Sequence, residues 1–149
     1  MFFLPLHKMG RILAIDYGTK RTGVAVSDPN RMIATALDTV PTHQITKFIQ
    51  DYLSRETVDI IVVGHPKHLD NTESSTTRLT NQFVNKLKKE FTTVKIDKYD
   101  ERFTSKIASQ SLIESGQSKK VRRDKSILDQ VSATILLQDY LENLSFRKL

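Results

Sequence analysis

The sequence predicts an α/β fold of three layers: a mixed five-stranded sheet, three antiparallel strands then two parallel, flanked by helices in the order βββαβαβαα. Three observations predict it. Strand-like runs and turn residues fill the first forty positions before any helical period begins. A continuous apolar run, Asp59-Ile-Ile-Val-Val63-Gly64, marks a strand covered on both faces and parallel to its neighbour. Apolar stripes of helical period then alternate with the later strands.

The first strand is Arg11–Asp16, a short apolar run ending in an acid, and 22–27 alternates small and β-branched residues as its hairpin partner. A third strand, 32–40, follows the turn formers Asp28-Pro29-Asn30. From Pro41 the period changes, and Ile45, Phe48, Ile49 and Tyr52 form the stripe of a first helix. After the strand at 59–63, Leu79, Phe83, Val84, Leu87 and Phe91 predict a second helix, and 93–99 a fifth strand. Phe103, Ile107, Ala108 and Leu112 suggest a third helix closed by Gly116. The stretch 117–123 has no apolar period and reads as a basic loop. Asp124 is placed to cap a last helix whose apolar face is Ile127, Leu128, Val131, Ile135, Tyr140 and Leu141.

With 149 residues, 38% of them hydrophobic, the chain suits one globular domain, expected to span 9–149. Residues 1–8 precede Met9-Gly10 and are expected to be a disordered extension without function. The absence of cysteine excludes a disulfide framework, a thiol nucleophile, thiolate zinc and iron–sulfur clusters, so any metal must bind through oxygen or imidazole. No apolar run approaches the roughly 18 residues of a membrane span, which predicts a cytoplasmic protein without a membrane partner. Walker A and Gly-X-Gly-X-X-Gly patterns are also missing, so nucleotide cofactors are unsupported. Of the four histidines only His65 and His68 are close, and the intervening Pro66 argues against a metal set. His65, after a central strand, could touch substrate or shuttle a proton.

Three acids stand at element ends. Asp16 closes the first strand ahead of Tyr17-Gly18-Thr19-Lys20-Arg21, Glu101 follows the fifth strand, and Asp129 lies about one and a half turns into the last helix. If the first and fifth strands are parallel, Asp16 and Glu101 share the carboxyl edge where open α/β sheets place their sites. Asp129 reaches that edge if its helix packs across it, which the small Ser132 and Ala133 would permit. Each acid also has a plain structural reading as turn, cap or solvated helix face. Gathered together, carboxylates repel by about 4 kcal/mol per pair at 4 Å and an effective dielectric near 20, and a divalent cation relieves this. Mg²⁺ held by one or two carboxylates and substrate phosphate oxygens fits phosphodiester hydrolysis. The formal charge of +6 and the run Lys119, Lys120, Arg122, Arg123 point to a nucleic-acid partner.

Four blocks in order resemble the YqgF-type pre-16S rRNA nucleases, also described as Holliday-junction resolvase-like proteins of ribonuclease H-like fold. They are Ile12-Leu-Ala-Ile-Asp-Tyr-Gly-Thr-Lys-Arg-Thr-Gly-Val-Ala-Val-Ser-Asp28, Ile61-Val-Val-Gly-His-Pro66, Tyr99-Asp-Glu-Arg-Phe-Thr104 and Ile127-Leu-Asp-Gln-Val-Ser-Ala-Thr-Ile-Leu-Leu-Gln138. The resemblance implies that Asp16, Glu101 and Asp129 are catalytic acids holding one or two Mg²⁺ or Mn²⁺ ions. It also implies that Thr19, Lys20 and Arg21 approach the scissile phosphate, while Arg102 holds a neighbouring phosphate or orients Glu101. Where members have Gly-X-Pro followed by Asp-Gly, this chain has Gly64-His65-Pro66 and Asp70-Asn71; Ser132 stands where Ala is common. Neither departure touches an acid.

The function so implied is metal-dependent nuclease action on structured RNA, namely the 5′ end of pre-16S rRNA in pre-ribosomal particles, by a monomer or homodimer. The alternatives are a resolvase cutting branched DNA as a symmetric dimer and a non-catalytic nucleic-acid-binding assembly factor. Asp16-Tyr-Gly-Thr19 also resembles the phosphate loop of actin-like ATPases and sugar kinases, which pair two such domains where this chain supplies one.

Overall fold

The computed structural model describes residues 9–65, 75–100 and 125–147. Five strands, β1 (Arg11–Asp16), β2 (Arg21–Ser27), β3 (Ala34–Pro41), β4 (Val58–His65) and β5 (Lys95–Asp100), form one sheet in the order β3-β2-β1-β4-β5. Pairing of β1 with β2 and of β2 with β3 is antiparallel, and that of β1 with β4 and of β4 with β5 is parallel. The expected mixed sheet is thus present. Its helices are α1 (Ile45–Arg55), entered through a short 3-10 turn at Thr42–Gln44, α2 (Ser75–Glu90) and α3 (Lys125–Arg147).

Side chains alternate across a strand, so β1 feeds two cores at once. Leu13 and Ile15 join Val24, Ile61 and Val63 under α1 and α2, whereas Ile12 and Ala14 join Ala25, Ile60 and Val62 under α3. All four β1 residues between Arg11 and Asp16 are completely buried, which accounts for the uninterrupted apolar run. The second core is thin where it matters. Ala14, Ala25, Ser132 and Ala133 are small and buried, and they let α3 lie close to the sheet.

Three expectations are corrected in detail. The third strand begins at Ala34 rather than Met32, because the Asp28 carboxylate accepts hydrogen bonds from the Met32 and Ile33 amides, both at 2.8 Å, and draws them out of the ladder. In α2, Leu79 is exposed while Thr77 and Thr80 are fully buried. The face set by Val84 and Leu87 runs back through Thr80 and Thr77, so the stripe turns away from Leu79. In α3 the buried ridge is Ala133, Leu136, Leu137, Tyr140 and Leu141, while Ile127, Leu128, Val131 and Ile135 are only partly covered. The stretches read as a third helix and a basic loop, together with the Asp124 cap and the first eight residues, lie outside the described residues.

The β2–β3 turn carries two predictions. Arg31 sits at φ 58°, in the left-handed region, while its guanidinium bonds Asp59 at 2.8 Å and the Gly10 carbonyl at 3.2 Å. Arg31→Ala and Arg31→Gly both lose these bonds, but only alanine retains the left-handed penalty. In urea unfolding the alanine variant is expected to be less stable than the glycine variant by about 1 kcal/mol, after allowing for glycine's larger unfolded-state entropy. In the same turn, hydrogen bonding from the Ile33 amide, aided by Met32, outweighs burial and holds the Asp28 carboxyl below its ordinary pKa. A depressed native pKa contributes stability above the unfolded value, about 3.9, that is lost as pH falls through the native one. The stability gap between wild type and Asp28→Asn is therefore expected to narrow from pH 7 to pH 3 in urea midpoints, discounted throughout by solvent screening.

Candidate active site

Because β1, β4 and β5 are parallel, their final residues Asp16, His65 and Asp100 come to one edge of the sheet, with His65 paired in register with Asp100. Asp16 pairs across the hairpin with Gly23. Counting back in twos from Asp16 reaches Ala14 and Ile12, so its Cβ is on the α3 side of the sheet.

Gly23 is the point at which α3 meets that edge. A Cβ built on Gly23 would lie 2.2 Å from the carbonyl oxygen of Asp129, 2.6 Å from its carbonyl carbon and 3.2 Å from its Cβ. Only a residue without a side chain admits this approach. Since Cβ atoms of directly opposed antiparallel residues are about 4.5–5.5 Å apart, Asp16 and Asp129 occupy neighbouring ground over Gly23 although 113 positions separate them in the chain (129 − 16). A second tie holds the start of α3 there, the Thr39 hydroxyl donating to the Ser126 carbonyl at 2.6 Å. Further along, Gln138 accepts from the Ala34 amide at 3.1 Å and Tyr140 donates to Asp97 at 2.8 Å, fastening the helix to both flanks of the sheet.

Arg21 lies on the same face as Gly23, two residues earlier, and its Nε donates to Asp129 Oδ2 at 3.1 Å. Both groups are partly exposed, at 37% and 24% of their side-chain surface, so this pair is accessible from solvent. A guanidinium has further N–H groups besides Nε, in a fork that matches phosphate oxygens.

The turn between β1 and β2 is held rather than loose. A Cβ on Gly18 would lie 2.3 Å from the Arg21 carbonyl oxygen, so the tight reversal requires glycine. Thr42 fastens the turn from outside: its hydroxyl donates to the Gly18 carbonyl at 2.6 Å, and its amide donates to the Lys20 carbonyl at 3.0 Å. Tyr17 stacks on Phe83 of α2 with ring centroids 4.3 Å apart. Thr19 and Lys20 remain exposed at the tip.

The structure thus brings Asp16, Asp129 and Arg21 together, with Thr19 and Lys20 on the adjoining turn. Glu101, Arg102, Lys119, Lys120, Arg122, Arg123 and His68 lie outside the described residues. Among the described residues no group of three or more His, Asp or Glu is placed to hold a metal ion. Two carboxylates with oxygen donors alone do fit a hard cation of the Mg²⁺ type, which keeps waters and takes its remaining ligands from phosphate. Sequence reasoning passed over Gly23 and Thr42. A glycine inside an otherwise β-branched strand is itself a sign of close backbone approach; nothing comparable marks Thr42.

Comparison with known proteins places these elements in a family. Residues 10–143 match the model of the family RuvX, described as Holliday junction resolvase. A protein of Phocaeicola vulgatus named "Putative pre-16S rRNA nuclease" is 50% identical over 138 residues, covering 93% of this chain and 99% of the relative. Relatives of the same name in Flavobacterium johnsoniae and Christiangramia forsetii are 46% and 50% identical, over 93% and 89% of this chain and 100% and 98% of theirs.

Proposed function

The chain belongs to the RuvX family of ribonuclease H-like proteins, and from that premise we propose that it is a divalent-metal-dependent nuclease. It hydrolyses phosphodiester bonds in structured RNA, processing the 5′ end of pre-16S rRNA in cytoplasmic pre-ribosomal particles. The observation that carries this reading is the meeting of Asp16 and Asp129 over Gly23. The names of the relatives support the substrate.

In this reading Asp16 and Asp129, with Glu101 directly after Asp100 of β5, are the catalytic acids and hold one or two Mg²⁺ or Mn²⁺ ions. When bound, such an ion polarises a phosphoryl oxygen and makes water a nucleophile at neutral pH. The chain's own residues do the positioning. Arg21 holds Asp129 through Nε and offers its terminal N–H groups to a phosphate, while Thr19 and Lys20 reach the same strand from the fixed turn. Arg102 serves a neighbouring phosphate, and Lys119, Lys120, Arg122 and Arg123 grip the backbone beyond. No helix among the described residues is long and apolar enough to cross a membrane.

The test is cleavage of a precursor RNA carrying the small-subunit 5′ leader beside a four-way DNA junction, under Mg²⁺, Mn²⁺ and excess chelator. Trimming of the RNA with either metal and none in chelator is the expected result. Paired nicks in the junction with intact RNA would favour the resolvase named by the family description. Binding without cleavage under every metal would favour a non-catalytic assembly factor.

A further inference from the structure

A second charged surface lies where α2 meets β5, built from residues other than those already assigned to substrate. Along α2, Arg78, Asn81, Asn85, Lys88 and Lys89 recur at intervals of three and four, which aligns them in one row. Lys98 of β5 joins that row, its Nζ donating to Asn81 Oδ1 at 3.4 Å. The sole acid of α2, Glu90, is turned about 100° beyond Lys89. Arg78, Lys88, Lys89 and Lys98 are all exposed, and among the described residues none takes part in an ion pair.

Helix stability does not account for the row. Lys88 and Lys89 in the last turn suit the helix dipole, but Arg78 stands in the first turn, where a cation is disfavoured and where α2 has no acid to offset it. Nor is the row remote from the acidic edge. The chain leaves β4 at that edge to enter α2 and returns through β5, so Arg78 lies near the edge and Lys89 at the opposite end, about 16 Å away at 1.5 Å per residue. Lys98 is two strand residues, about 6.6 Å, short of Asp100.

We propose that this flank is a docking track for the phosphate backbone of a paired nucleic-acid stem, leading away from the acidic edge. Four cations interleaved with amide side chains, with no carboxylate in the α2 row from Arg78 to Lys89 over about 16 Å, match a polyanion met through charge and hydrogen bonding without base reading. The track rests on the nuclease reading only for what lies at its head; the surface itself is tested by binding.

The test compares two full-length variants of equal charge change, one carrying Arg78→Gln, Lys88→Gln, Lys89→Gln and Lys98→Gln. The control carries Lys47→Gln, Arg55→Gln, Lys86→Gln and Lys95→Gln, exposed cations outside the row, of which Lys86 is turned about 60° from Lys89. Glutamine is close to lysine and arginine in helix propensity, so circular dichroism is expected to be unchanged in both. Binding is read by fluorescence anisotropy in chelator, with an RNA hairpin of about 20 base pairs, a DNA duplex of the same sequence and a single-stranded tetranucleotide. The flank variant is expected to bind both stems at least about tenfold more weakly. Its salt dependence should be shallower by about 3.6 units of log–log slope if each of the four cations neutralises one phosphate, at roughly 0.9 for each. Its affinity for the tetranucleotide should equal that of wild type.

Equal weakening in the two variants would reduce the effect to net charge and overturn the track, as would equal weakening for the tetranucleotide. A flank that governs binding of polyglutamate but of neither stem would also overturn it, in favour of an acidic protein partner. Flank-dependent stem binding without cleavage under any metal would sink the nuclease reading and leave the track standing; cleavage of long stems unaffected by the flank variant would do the reverse.

Discussion

Asp16→Asn is expected to lower RNA cleavage at least about a hundredfold, equivalent to about 2.7 kcal/mol of lost transition-state stabilisation, while leaving the fold intact. Asparagine has nearly the shape of aspartate, and the residue ends a strand whose four preceding positions are completely buried, so β1 keeps its place. What disappears is one negative charge on the α3 side of the sheet edge, beside Asp129 and Arg21. In the wild type Arg21 pairs with Asp129, and a divalent cation would relieve the repulsion between the two neighbouring carboxylates. The variant should therefore bind Mn²⁺ more weakly in calorimetry, and its thermal midpoint should stay the same or rise as repulsion is relieved. Turnover at the wild-type rate would show that Asp16 is a turn residue and nothing more.

The parts of this site that were legible in the sequence are those set by local pattern. An apolar run ending in Asp16, a glycine turn, and a second parallel strand at 59–63 follow from apolar runs and turn chemistry, which act over a few residues. The small Ser132 and Ala133 were also readable as a place for close packing, and both are buried. Less legible was anything set by the crossing of distant elements. Leu79 looked like core because leucine at helical spacing usually is, yet the buried face of α2 continues through Thr80 and Thr77. The pairing of Arg21 with Asp129 joins residues 108 apart, and no local rule selects it over a phosphate contact. The Thr42 clamp on the Gly18–Lys20 turn is likewise a product of where the 3-10 turn before α1 falls.

Gly23→Ala should be the most damaging single methyl group that can be added near this edge. The new carbon would stand 2.2 Å from the Asp129 carbonyl oxygen, and the obstacle is helix backbone rather than a side chain that can swing aside. Either the start of α3 lifts from β2 or the hairpin bends. Lifting would stretch the bond from Thr39 to Ser126, 2.6 Å in the wild type, and the pairing of Arg21 with Asp129. Overpacking of this kind costs about 1–3 kcal/mol, which for a chain of this size lowers the thermal midpoint by roughly 2–4 °C per kcal/mol. Activity should fall further than stability alone accounts for, since displacing a reacting group by about 1 Å can cost on the order of a hundredfold. Measuring cleavage well below the variant's own melting temperature separates the two effects. Thr22→Ser provides the contrast: it alters the buried β2 residue next door, keeps a hydroxyl within reach of Thr42, and removes a methyl group without touching Asp129. If Gly23→Ala melted lower yet cleaved as fast as Thr22→Ser, the close seat of α3 on Gly23 would serve stability alone, and the placement of Asp129 would not depend on it.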